Sequence, residues 1–363
     1  MKIIDIKTEL LHIPVERALL NKTKSRAYME VIPVKILTDE GICGYGYTYT
    51  DGFGGHAVRT LIDTDIKELL LGKNPLEVKR LSAYLLWELR QAGFSGITVL
   101  GAAAVDLSLW DIYSKAADLP ICSILGQYRD QVPMYASVAG WSGLPREEMV
   151  ERAGRLLMEQ KMVGIKIQVG RESPEQDAKR VEALRITFGK DVKLFIDANT
   201  ILDVEGAIKL ARCLEEYDIF WFEEPISIRN PMGHRRIAES TAVPLATGEN
   251  FFGIHETDEY IRGNLVSYMQ ADVIRTGGIT EWLRIAANCD AQGIKVSPHF
   301  VMEVTAQVQC CVPNSLYVEY IPWFQEHFAD PVRTKDGFAL ARETPGLGLK
   351  FKEETLKRYR IDS

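Results

Sequence analysis

Residues 220–225 read Phe220-Trp221-Phe222-Glu223-Glu224-Pro225, three large apolar side chains that end abruptly in two carboxylates and a proline. A run apolar on both faces suits a strand buried on both faces, as in a parallel sheet covered by helices. Pro225 has no N–H to carry the pairing further. The acids therefore fall at the carboxyl end of the strand, where α/β folds place their chemistry. Alone, such a run is equally an acidic start to a loop. Its neighbours along the chain decide.

From Val132 onward, short apolar strands alternate with amphipathic helices. The strands expected are Val132–Ala139, Gly164–Val169, Lys193–Asp197, Ile219–Glu223, Pro244–Thr247, Tyr268–Ala271, Ile294–Ser297 and Leu316–Tyr320. Eight such units match a (β/α)8 TIM-type barrel. Before them, Lys2–Pro14 and Met29–Thr38 alternate as strands, Asp39-Glu40-Gly41 signals a turn, and Ile42–Thr50 pairs back. Helical periodicity follows from Ala57 to Leu71, Pro75 to Gln91 and Ile97 to Ala117, with Gly101-Ala102-Ala103-Ala104 small enough for close packing. Strands followed by helices indicate an α+β unit. The fold class expected is thus α/β: an N-terminal α+β capping domain over 1–127, a (β/α) barrel over 128–328, and a turn-rich C-terminal segment over 329–363 that packs back on the cap.

Composition narrows the partners. Apolar residues make 46% of the chain and charged residues 26%, ordinary for a globular protein with a full core. A net charge of −7 and the absence of any basic tract argue against nucleic acid or anionic membranes as main partners. Six cysteines form no C-x-x-C pair and several lie in apolar runs, as expected of reduced thiols in a cytoplasmic protein. Met1-Lys2-Ile3-Ile4-Asp5 carries an acid too early for a signal peptide, and no apolar run is expected to span a membrane.

At or just past the strand ends stand Lys166, Asp197, Glu223, Glu249, Asp272, His299 and Glu319, with gaps of 31, 26, 26, 23, 27 and 20 residues. Each gap is about one strand–helix unit, so a barrel brings all seven to one rim. Asp197, Glu223 and Glu249 come from successive strands and offer hard oxygen ligands, which suit Mg²⁺. Zinc fits less well, because no histidine or cysteine falls on these strand ends. Asp272 beside His299 would orient the imidazole and raise its basicity, making a general base. Glu319 would donate a hydrogen bond if a neighbouring charge kept it protonated, and Lys166 would balance negative charge on a substrate. The combined chemistry is removal of a proton α to a carboxylate, with Mg²⁺ holding the enediolate.

Over essentially its whole length the chain resembles the mandelate racemase subgroup of the enolase superfamily. The matching motifs are Lys166, Asp197-Ala198-Asn199, Trp221-Phe222-Glu223-Glu224-Pro225, Gly248-Glu249-Asn250, Asp272 with Gly277-Gly278-Ile279-Thr280, Ser297-Pro298-His299, and Glu319. The resemblance implies a cap whose loops near Arg17–Arg26 and Tyr47–Gly55 select substrate, and a dimer or octamer. It also implies that Asn199 supports the metal and substrate region. In one respect the sequence departs from the family. The family often has Lys-x-Lys at the second barrel strand, whereas this chain has Lys166-Ile167-Gln168. Glutamine takes no proton at neutral pH, so His299 is left as the one base and Gln168 is expected to bind a substrate hydroxyl or carboxylate oxygen.

Subgroup members with only the histidine side intact are typically acid-sugar dehydratases, and dehydration of an aldonic or aldaric acid is the leading expectation. Cycloisomerisation or epimerisation through the same intermediate is the alternative, and a non-catalytic binding barrel a remote one. Lys22, Lys24 and Arg26 in the first loop would meet a distal carboxylate, or else form a solvated basic loop. Tyr47, Tyr49, Trp141 and Trp323 are candidates for the pocket lining, with core or rim packing the alternative.

Overall fold

The computed structural model describes residues 1–15 and 27–361, so the whole first loop, Lys22, Lys24 and Arg26 included, lies outside the described residues. The chain opens with strands β1 (Ile3–Thr8), β2 (Leu11–Pro14), β3 (Tyr28–Thr38) and β4 (Cys43–Thr50) in one antiparallel sheet. The segment expected as one strand over 2–14 is two. β1 and β2 both pair with the same side of the longer β3, while β4 folds back along its other side as the hairpin partner.

Helix Ile97–Ala116 lies directly on β4. The approach is so close that a Cβ on Gly44 would fall 2.2 Å from the Ser108 carbonyl oxygen, and one on Gly46 2.3 Å from that of Ala104. Glycine in the strand, as much as the small residues in the helix, makes that packing possible. By length and apolarity this helix does meet the criterion for a membrane span, contrary to the expectation from sequence, but it is mostly buried in the protein. A helix hydrophobic all round is what a core position requires.

The barrel is built from β5 (Gln131–Gly140), β6 (Gly164–Gln168), β7 (Lys193–Asp197), β8 (Ile219–Glu223), β9 (Leu245–Thr247), β10 (Tyr268–Met269), β11 (Lys295–Val296) and β12 (Val318–Tyr320). Neighbours pair in parallel, β12 returns to β5, and a parallel bridge between Val296 and Ser315 closes the ring. The last strands are shorter than the sequence suggests, yet each lies where it was expected. After the barrel come β13 (Thr334–Lys335) and β14 (Phe338–Leu340), the latter antiparallel to the start of β5. The C-terminal residues reach the cap as well: Leu347 N donates to the Asp111 carboxylate at 2.6 Å and Ile361 N to Leu10 O at 2.9 Å.

Inside the barrel the period-2 alternation of strand side chains makes layers. Tyr135, Phe195, Trp221 and Tyr317 form a buried aromatic floor, with Phe195 and Trp221 at 4.2 Å between ring centroids. Two residues further along the same strands come Ser137, Asp197, Glu223 and Glu319. The polar layer at the barrel mouth rests directly on this apolar floor.

Candidate active site

β8 ends at Glu223, as the opening stretch requires. Glu224 N still donates to Ala246 O at 3.0 Å, and pairing stops at Pro225. Glu224 itself takes φ +39°, and Asn199 (+43°) and Phe300 (+50°) do the same just beyond their own strand-end site residues. Left-handed backbone at non-glycine residues is costly and clusters at functional sites. Gly248, at φ +150°, stands so close to β10 that a Cβ would fall 2.5 Å from Ala271 N. No side chain fits there, and the chain passes tightly over β10 to deliver Glu249.

Among the described residues, Asp197, Glu223 and Glu249 form a group whose ligand oxygens all lie within 4.8 Å of one another. Asp197 and Glu223 are buried. Burial, with only partial relief from Lys166 and added repulsion from the neighbouring acids, pushes Asp197 up to about 6 and Glu223 up to about 8. Lys166 Nζ is their shared counter-ion, 2.7 Å from Glu223, 2.6 Å from Glu319 and 3.5 Å from Asp197. One ammonium cannot balance four clustered carboxylates, and an all-oxygen set of this kind fits a hard divalent cation. Burial alone would lower the Lys166 value, but Glu223 and Glu319 hold the ammonium firmly charged.

Glu319 corrects one expectation. Burial works to raise its value, but Lys166 and His299 outweigh it, and the carboxylate is held well below its ordinary range. It accepts from Ser137 Oγ and, at 2.8 Å, from Phe300 N. Cationic neighbours favour the ionised form, so Glu319 is an acceptor here and not a donor.

His299 Nδ1 lies 2.8 Å from Asp272 Oδ2, and its Nε2 lies 3.6 Å from Glu249 Oε2. The expected pair is therefore formed at the edge of the acidic triad. Asp272 is fully buried and accepts at its other oxygen from Ile274 N (2.7 Å) and Arg275 N (3.1 Å). Burial pulls the His299 value down, but the Glu249 charge and the Asp272 hydrogen bond raise it to about 9.

Gln168 and Asn199 line the same pocket. Gln168 Oε1 accepts from Ser142 N at 3.1 Å and its Nε2 donates to Asn199 Oδ1 at 2.9 Å. Asn199 in turn donates to Asp197 through its backbone N (2.7 Å) and its Nδ2 (3.0 Å). Tyr47 is a second correction. It is fully buried, donates to the Glu303 carboxylate and packs against Phe324, Phe328 and Phe351, away from the pocket lining. Tyr49 lies on the same face of β4, nearer the barrel mouth, and it is the tyrosine that reaches the site.

Sequence reasoning missed Arg275, Asn250 and Glu224 as parts of the site. Arg275 donates to Asn250 Oδ1 at 2.6 Å and to Glu249 O at 3.2 Å, while Asn250 Nδ2 donates to both oxygens of the buried Glu224, at 2.9 and 2.8 Å. Asn250 and Glu224 stood inside motifs already singled out, whereas Arg275 had only its place three residues after Asp272 as a signal.

Residues 4–126 match the mandelate racemase / muconate lactonizing enzyme N-terminal domain, and residues 148–355 match the enolase C-terminal domain-like family. The chain belongs to the mandelate racemase / muconate lactonizing enzyme family of the enolase superfamily. Within this family it is 32% identical to a 3,6-anhydro-alpha-L-galactonate cycloisomerase of Streptomyces coelicolor over 98% of this chain and 99% of that one. It is 29% identical to an L-talarate/galactarate dehydratase of Salmonella typhimurium over 96% of this chain and 89% of that one. A crystal structure of a racemase from Streptomyces coelicolor with bound magnesium superposes with a TM-score of 0.93 at 32% identity, covering 99% and 100% of the two chains. An L-talarate dehydratase from Polaromonas sp. JS666, in complex with Mg and L-glucarate, superposes with a TM-score of 0.91 at 29% identity, covering 99% and 98%.

Proposed function

We propose that this family member binds an acid sugar through its carboxylate at Mg²⁺ held by Asp197, Glu223 and Glu249, and dehydrates it to a 2-keto-3-deoxy acid. The observation that carries the reading is His299, fixed through Nδ1 by Asp272 with Nε2 beside Glu249. When bound, Mg²⁺ supplies positive charge against the oxygens that become negative as the α-proton leaves. His299 Nε2 takes the C2 proton and returns it to the C3 hydroxyl, which departs as water. The resulting enol becomes the 2-keto acid.

Asp272 fixes the ring with Nε2 toward the substrate. With the Glu249 charge that raises the His299 value offset by Mg²⁺ on the triad, the imidazole is neutral and able to accept the proton. Lys166 supplies fixed positive charge beside the carboxylate. Its ion pairs with Glu223 and Glu319 keep it protonated, so it is no second base. Gln168, already engaged on both sides of its amide, holds neighbouring groups in place. With one base the site suits dehydration over racemisation. Cycloisomerisation of a sugar-acid lactone needs the same single base, and the 32% identity to a cycloisomerase favours it as the second reading.

A screen of acid sugars with Mg²⁺ in D₂O tests both. From acid sugars and their lactones, a 2-keto product lighter by one water establishes dehydration, a product of unchanged mass establishes the second reading, and neither product nor C2 exchange rejects both.

The division at 127/128 is supported by the break from antiparallel sheet to parallel barrel, and that at 328/329 by the antiparallel β13–β14 pair that follows the last barrel strand. Six free thiols support a cytoplasmic setting. A homo-oligomer, dimer or octamer, is supported by the exposed apolar side chains of Trp87, Phe94 and Ile97, close together in sequence.

A further inference from the structure

The amide of Gln168 is used at both ends, and chemistry fixes the direction of each bond. Which end of a side-chain amide is oxygen follows from its partners. Here the series starts at a backbone N–H, that of Ser142, which can only donate. Gln168 therefore turns Oε1 toward it at 3.1 Å, and its Nε2 is left to donate to Asn199 Oδ1 at 2.9 Å. That bond orients the second amide in turn, so that Asn199 Nδ2 faces Asp197 Oδ2 at 3.0 Å.

A charge anchors the far end. Arg180, on helix Pro174–Phe188, is largely buried and donates to Trp141 O at 3.0 Å. That carbonyl and the Ser142 N–H belong to one peptide unit and point opposite ways in the trans form. Holding the oxygen aims the N–H at Gln168. The guanidinium also holds Gly140 O (3.2 Å) and Gln168 O (2.6 Å), across the paired strands β5 and β6. The series thus runs from a cation to a carboxylate with every donor pointing toward the carboxylate. In such an arrangement each bond polarises the next.

We infer that Gln168 and Arg180 are positioning residues for the metal centre, acting through Asn199 to fix the Asp197 carboxylate as a ligand. This rests on the metal-site reading above. A lysine at 168 would have donors and no acceptor, leaving the Ser142 N–H unmet. Glutamine has both, and its amide serves the metal ligand instead of the substrate.

The test is calorimetric Mg²⁺ binding to the full chain without substrate, which needs no turnover. Gln168→Leu keeps most of the side-chain volume and removes both hydrogen bonds. Arg180→Lys keeps the charge and gives up the planar fork. Each is expected to weaken Mg²⁺ binding about three- to tenfold. Asn199→Gly suits the left-handed backbone at φ +43° and removes the amide between Gln168 and Asp197. In that background, adding Gln168→Leu or Arg180→Lys is expected to change Mg²⁺ affinity by less than about twofold, because the link is already cut. Unchanged affinity in both single variants overturns the inference while leaving the metal site intact. So does a loss in the Asn199→Gly background as large as in the wild type, which would mark the two residues as packing. Wild-type protein that takes up no Mg²⁺ removes the metal-site reading, and the positioning roles with it.

Discussion

Tyr49 donates its hydroxyl hydrogen to Oδ2 of Asp272 at 2.6 Å, the same oxygen that His299 Nδ1 meets at 2.8 Å. The donor comes from β4 of the antiparallel sheet and the acceptor from the barrel. Tyr49 also packs edge-on against Phe300, the residue after His299, at 5.1 Å. The seating of the cap strand therefore fixes the carboxylate that orients the base. Tyr49→Phe is expected to lower kcat about tenfold, the size of a lost hydrogen bond to a charged group. Mg²⁺ affinity should stay unchanged, because Tyr49 touches no triad acid. Wild-type kcat in steady-state assays would reduce Tyr49 to packing.

His299→Asn is expected to abolish turnover and C2 deuterium exchange while Mg²⁺ still binds. The imidazole is outside the triad, and asparagine accepts no proton in this range. Exchange measured by NMR and metal binding by calorimetry separate the two effects. Retained exchange would move the base role elsewhere.

Arg275→Met is expected to weaken Mg²⁺ binding about 10- to 100-fold, the usual cost of removing a group that orients metal ligands. The side chain holds the Glu249 carbonyl and, through Asn250, the Glu224 carboxylate. Equal Mg²⁺ affinity in the variant would show that the triad keeps its geometry without this support.

Asp106 gives a pH dependence of stability away from the triad. Its carboxylate, buried in helix Ile97–Ala116, accepts from the Thr280 hydroxyl and from Thr280 N at 3.1 Å. Burial pushes it up to about 7. In the unfolded chain an aspartate titrates near about 3.9. Between those values the folded protein binds more protons than the unfolded one, so this group's contribution falls as pH rises from about 4 to about 7. Asp106→Asn should remove that slope. In urea unfolding, the stability difference between variant and wild type should move in favour of the variant from about pH 4.5 to about pH 7.5. A difference independent of pH would show that Asp106 does not titrate in this window.

Much of this was legible in the chain because barrel geometry is repetitive. A strand–helix unit recurs about every 25 residues, so Asp197, Glu223 and Glu249 announce themselves by position alone, and the stop at Glu224-Pro225 marks where a strand ends. The same regularity brought Lys166, Asp272, His299 and Glu319 to one rim. Local patterns also located β3, β4 and the helix at 97–116. They did not reveal that residues 2–14 break into two strands, because each half alternates in the same way and only pairing with β3 separates them.

Tertiary structure decided what spacing leaves open. Tyr47 and Tyr49 share one face of β4, and nothing in their alternation tells which reaches the barrel mouth. The placement of Glu303, Phe324, Phe328 and Phe351 around Tyr47 does. The charge on Glu319 depends on Lys166 Nζ at 2.6 Å, a distance set by strands on different parts of the barrel. The Tyr49–Asp272 bond joins residues 223 positions apart. Sequence periodicity determined which residues line the rim, since that follows from bonds along the chain. Which of them touch, and in what charge state, was fixed only by packing between distant segments, because hydrogen bonding and burial act through space.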